Sequence, residues 1–89
     1  SKKRPALVIA YLKGDDSILC QIPSMVWHDK YSIKLTNSDF KQGSLSVESN
    51  IKTNKLFTAD KSLIQYKIGS VKDKKLKEVT DSICNLVRG

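Results

Sequence analysis

Histidine occurs once in these 89 residues and cysteine only twice, and that scarcity removes whole classes of chemistry. Cys20, His28 and Cys84 lie far apart along the chain, so no cluster has the spacing of a zinc site. A serine or cysteine triad could be built only around His28, and nothing near it supports one. The four glycines stand singly, which excludes the glycine-rich phosphate loop and the dinucleotide fingerprint. No apolar run approaches the roughly 20 residues needed to span a bilayer, and the run after Ser1-Lys2-Lys3-Arg4 is too short for a signal peptide. The two cysteines sit in apolar or helical patterns and read as buried small hydrophobes, which suits a reducing cytoplasm. These absences lead us to expect a soluble, intracellular protein with no metal and no cofactor.

Acidic residues are also few. Nine Asp and Glu face sixteen Lys and Arg, a formal charge of +7, and on so short a chain that field favours polyanions, although lysine also serves simply to keep small proteins in solution. Hydrophobic residues make up 39% and charged residues 28% of the chain, a mixture that folds. The length predicts one domain over residues 1–89, near the small end for closing a core, so dimerisation would be a natural source of further burial.

The apolar pattern predicts short strands followed by one helix. Ala6 to Leu12 is nearly continuous and reads as a strand buried on both faces, stopped by Gly14-Asp15-Asp16; Ser17 to Ile22 repeats it, giving a hairpin in mid-sheet. Pro23 ends the second run because it has no N–H to give to a ladder. A loop follows from Ser24 to Lys30. Tyr31 to Thr36 alternates as a half-exposed strand does, Asn37-Ser38-Asp39 supplies turn chemistry, and Gly43 marks a bend. Leu45, Val47 and Ile51 alternate weakly, and Lys55–Asp60 and Ile64–Ile68 read as further strands. From Asp73 the period becomes about 3.6, with Leu76, Val79, Ile83, Leu86 and Val87 on one face, Asp73 placed to cap the first turn, and Arg88 and Gly89 suited to the end. The fold class expected is mainly β with a C-terminal α-helix, a small, strongly bent sheet or partial barrel.

Lys2-Lys3-Arg4 joins this sheet through Pro5. A guanidinium there is rigidly placed, always charged and able to fork onto a phosphate. RNA cleavage by its own 2′-hydroxyl needs an aligned oxygen and donors for the charge on pentacoordinate phosphorus, and Arg4 suits that work. Standing alone, the pattern equally describes a solvated arginine at a strand start. Trp27 and Tyr31 could stack on bases or pack under the loop or at a dimer interface, and His28 reads as a surface residue.

Several segments together resemble a known family. Arg4-Pro5-Ala6-Leu7-Val8-Ile9 resembles the signature arginine-proline strand of MazF/PemK toxins, and Cys20-Gln21-Ile22-Pro23-Ser24 is similar to the second signature, which usually ends Ile-Thr-Ser. Tyr31–Leu35, Gly43–Ile51 and Asn54–Ile64 are similar, in order and spacing, to later family segments, so the likeness covers nearly the whole chain. It implies an SH3-like barrel of twisted antiparallel strands with a C-terminal helix, usually a homodimer, that cleaves single-stranded mRNA at short motifs without metal. It also implies a bacterial, cytoplasmic toxin of a type II toxin-antitoxin system, held in check by an antitoxin whose acidic, partly disordered tail covers the basic groove.

By the same resemblance Arg4 would stabilise or protonate at the scissile phosphate. Asn50 falls where related toxins carry an amide that contacts a base, a group that both donates and accepts. Lys2, Lys3, Gln21, Lys52 and Lys55 complete the expected RNA-binding set. Two departures stand out. The family's catalytic threonine falls at Pro23, so its hydroxyl role must pass to Ser24, itself an ordinary turn residue after proline, or be lost. The family's upstream strand, commonly with Gly-Asp-Ile or Gly-Asp-Val, and the loop leading to the arginine have no counterpart, so either the sequence is incomplete or the barrel lacks an edge. The rival expectations are a toxin-like barrel that binds RNA or antitoxin without cutting and, more distantly, a gyrase-poisoning toxin, whose aromatic C-terminal ending Leu86-Val87-Arg88-Gly89 does not resemble.

Overall fold

The computed structural model describes residues 4–23 and 29–89. Along them run β1 (Ala6–Tyr11), β2 (Asp16–Gln21), β3 (Ser32–Leu35), β4 (Phe40–Gly43), β5 (Ser49–Lys52), β6 (Leu56–Asp60), β7 (Gly69–Val71) and the helix α1 (Asp73–Arg88), with single 3-10 turns at Asn37–Asp39 and Lys61–Leu63. All strand pairs described are antiparallel and form three sheets, β1-β2-β6, β3-β5 and β4-β7. The architecture is therefore mainly antiparallel β with one C-terminal helix, barrel-like but without a closed ring of ladders among the described residues.

Strand β2 is the centre of the largest ladder. Val8, Leu19 and Phe57 lie side by side across its three strands, and Leu7, Cys20 and Leu56 form the next row. Because successive residues of a strand point to opposite faces, these two rows look in opposite directions. Cys20 turns into the core with Ile22, Leu35, Ile51 and Val79, where Leu7, Ile9, Ile33, Phe40, Leu45, Val71 and Ile83 pack around them. Leu19 is buried on the other side of the sheet, outside that cluster.

Several expectations are corrected. Strand β1 lies at the edge of its ladder and is half-buried rather than covered on both faces, and it carries a bulge between Val8 and Ala10. Ile64–Ile68 forms no strand; its large apolar side chains are exposed, and the pairing strand is Gly69–Val71 instead. The reason is local. Gly43 and Gly69 face each other across the β4–β7 ladder so closely that a side chain on either would strike the opposite backbone, at the Ile68 or Gln42 carbonyl. Gly43 also has a φ of +78°, which favours glycine. Phe40–Gly43, which the sequence pattern marks only as a bend, is their partner strand.

The helix begins one residue earlier than a capping Asp73 would require. Lys72 is its N-cap and offers no side-chain bond, while Asp73 occupies the first turn, where its charge suits the helix dipole. At the far end Gly89, with φ +95°, donates to the Asn85 carbonyl. Val79 alone on this helix is fully buried; Leu86 and Val87 at its end are exposed, as is Cys84. Cys84 was expected inside, but the helix leaves the core before reaching it. Polar contacts complete the docking. The Lys75 ammonium donates to the Lys34 carbonyl at 3.1 Å and lies 3.6 Å from Asp39 and 2.8 Å from Glu78, with its side chain 12% exposed. Asp39 accepts from the Thr36 N–H at 2.9 Å, and its own carbonyl accepts from Lys72 N–H at 2.7 Å.

Ile51→Ala should lower unfolding free energy by about 2–5 kcal/mol, because the side chain is wholly enclosed. Val87→Ala, at 77% exposure, should change it by less than about 0.5 kcal/mol. Urea denaturation of the two variants beside the parent chain measures both.

Candidate functional site

The β1–β2 ladder carries the site at its open end. Beyond the last register pair, Ala6 with Gln21, the Ile22 N–H still donates to the Pro5 carbonyl at 3.3 Å, so Arg4-Pro5 and Ile22-Pro23 continue side by side. On the other flank of β2 the Gln21 N–H donates to the Lys55 carbonyl at 3.0 Å. Arg4, Pro5, Ala6, Gln21, Ile22, Pro23 and Phe57 together line a cavity of about 280 Å³. Arg4 and Gln21 are exposed and Pro23 is half-buried, so a cation, an amide and an apolar wall meet at a surface open to solvent.

The chemistry this arrangement allows is the binding of an anion with a flat, hydrogen-bonding group beside it. A guanidinium can fork onto a phosphate, and the glutamine amide both donates and accepts. Pro23 contributes no hydroxyl at the cavity wall. Phe57 is the lining residue that sequence reading misses. It is not marked by local pattern, because only the pairing of Leu19 with Phe57 puts it on the face shared by Gln21.

The remaining expected residues are placed elsewhere. Asn50 is buried in β5 opposite Lys34, on a different ladder from Arg4, and does not line the cavity. Lys52 is buried as well, its ammonium 2.6 Å from the Asp29 carboxylate and its side chain only 8% exposed. Lys55 is exposed at the edge of the site, joined to Gln21 through its backbone. Tyr31 is half-buried with the Lys30 ammonium 5.2 Å from its ring centre. Lys2, Lys3 and Ser24, together with Met25, Trp27 and His28, lie outside the described residues.

Asp29 ties two strands together beside this region. Besides Lys52 it accepts from the Tyr31 N–H and the Ser32 hydroxyl, each at 3.0 Å. The hydrogen bond from Lys52 is the chief reason its carboxyl is held below the ordinary carboxylate value, with the Tyr31 and Ser32 bonds adding to it against some desolvation. A lowered folded-state value means that Asp29 stabilises the fold fully above the ordinary carboxylate range and loses that contribution as pH falls through its folded pKa. Melting temperature should accordingly decline on acidification below about pH 4, with a smaller decline in Asp29→Asn, as thermal melts at stepped pH would register.

Cys20 donates its thiol hydrogen to the Lys52 carbonyl at 2.7 Å, linking β2 to β5. Burial raises its pKa to about 11, so at neutral pH it stays a protonated, unreactive thiol. Titration of the native protein with an aromatic disulfide reagent should modify Cys84 promptly and Cys20 only after unfolding; prompt reaction of both would contradict this placement.

None of the described helices is long and apolar enough to cross a membrane. Comparison with individual curated proteins gives no match. The family comparison does: over residues 1–87 the sequence matches the family described as PemK-like, MazF-like toxin of type II toxin-antitoxin system, and the chain belongs to that family.

Proposed function

We propose that this toxin is a metal-independent endoribonuclease that cuts single-stranded mRNA at short motifs, with Arg4 at the scissile phosphate. Family membership already implies an antitoxin partner. The observation that carries the nuclease reading is the grouping of Arg4 with Gln21 in one open cavity, in a chain whose formal charge is +7. In the reaction the ribose 2′-oxygen bonds to phosphorus, the bond from phosphorus to the 5′-oxygen breaks, and the proton of the 2′-hydroxyl ends on the departing oxygen by way of protein or water. Arg4 stabilises the charge that collects on the non-bridging oxygens. By its place in the second signature Ser24 is the candidate hydroxyl, Gln21 and Asn50 are the candidate base readers, and Lys2, Lys3, Lys52 and Lys55 would offset phosphate charge. Burial of Asn50 and Lys52 means that RNA would have to reach them by a rearrangement of the surface around β5.

Exposed Tyr11, Leu63, Tyr66 and Val87 leave apolar surface that a homodimer would cover. The antitoxin would bring an acidic tail, disordered until bound, to the basic groove, and both encounters would take place in the bacterial cytoplasm, where the mRNA is.

A second reading is favoured by one observation. Pro23 forms the wall beside Arg4, where the family's threonine would stand, so this toxin could hold RNA or antitoxin without cutting.

A cleavage assay in EDTA on mixed-sequence single-stranded RNA separates the two. The nuclease reading expects cuts at a short motif that survive chelation and fall by about 100-fold or more in Arg4→Ala. Absence of cleavage by the parent chain, with RNA bound and cleavage gained by Pro23→Thr, would establish the non-cutting binder instead.

A further inference from the structure

We infer that Phe57 is a base-stacking residue, which holds the nucleobase next to the phosphate gripped by Arg4. The assignment rests on the RNA-cleaving reading above and adds to it a positioning residue that the signature segments do not contain.

The geometry comes from strand pairing. Phe57 stands directly opposite Leu19, and Gln21 is two residues further along β2, so both side chains leave the same face of the sheet. Arg4 reaches that face from the end of the β1 ladder, and all three line the one cavity. Leu19 stands beside it, at 5% exposure, while Phe57 on the edge strand β6 remains 39% exposed. A large aromatic is thus flanked by a buried leucine and left partly exposed in the cavity that a guanidinium and an amide also line.

That combination has a specific chemical meaning. An aromatic face accepts any base, a cation holds the phosphate, and an amide can read the base edge. A cavity of about 280 Å³ is near the lower end of ligand-site volumes, a size that suits one nucleotide rather than several. Stacking would therefore immobilise the nucleotide without choosing its identity, leaving the choice to Gln21. Phe57 acts on the reaction only through the substrate's position.

The test uses the full chain and a 2′-O-methyl RNA oligonucleotide carrying the cleaved motif, which binds but offers no attacking hydroxyl. Phe57→Leu keeps an apolar side chain beside Leu19 but removes the ring. It should weaken binding about tenfold, with KM raised by a similar factor and kcat nearly unchanged on cleavable RNA. Phe57→Tyr should restore both. The dependence of affinity on salt should keep its slope in Phe57→Leu, because no phosphate contact is lost, whereas Arg4→Ala should reduce the slope by about 0.7. Wild-type affinity in Phe57→Leu, or a loss that Phe57→Tyr does not rescue, overturns the stacking role while leaving RNA cleavage standing. Failure of the parent chain to bind RNA at all would remove both.

Discussion

Hydrogen bonding on both edges of β2 is the constraint from which the rest of the molecule follows. With β1 on one side and β6 on the other, its alternating residues are committed to two different surfaces. Cys20 must enter the core, and Gln21 must leave it. A shift of one residue would exchange them, turning Cys20 and Ile22 outward and placing an amide among Leu35, Ile51 and Val79. The core therefore fixes the register, and the register in turn brings Arg4, Gln21 and Phe57 to a common place.

The polar contacts near this strand follow from the same arrangement. Cys20 reaches across to the Lys52 carbonyl, so the largest ladder and the β3–β5 pair are joined by a buried hydrogen bond as well as by apolar packing. Lys52 and Asp29 then connect the end of β5 to the start of the β3 segment, where Asp29 also holds Tyr31 and Ser32. Breaking such a pair by removing one partner costs more than the pair itself contributes, since the other charge is left in a poorly hydrated place. That asymmetry gives Lys52 a structural obligation in addition to any role toward RNA.

The sequence reveals elements whose cause is local and conceals those whose cause is pairing. The Ala6–Leu12 run, its glycine turn and the 3.6-residue period after Asp73 were all legible, and the family signatures at Arg4–Ile9 and Cys20–Ser24 pointed to the barrel-like fold that the chain has. Ile64–Ile68 misled because it has the composition of a strand without a partner at the right distance. The partner instead meets Gly69, where glycine permits the approach. Arg4 and Gln21 could be nominated from motif position. Phe57 could not, because nothing in Leu56-Phe57-Thr58 says which strand it will stand beside. Lys52, expected among the RNA-binding lysines, is enclosed where β5 is buried from Asn50 to Lys52 and its ammonium meets Asp29.

Lys75 bears on one more property of the molecule. Val79 is the wholly buried residue of α1, and Ile83, one turn on, packs against the core as well. Beside that apolar contact the Lys75 ammonium reaches the Lys34 carbonyl and lies near the Asp39 carboxylate, both on the sheet side. Adhesion and a polar tether thus act on the same side of the helix, and together they turn Cys84, Leu86 and Val87 outward, toward whatever meets this end of the chain.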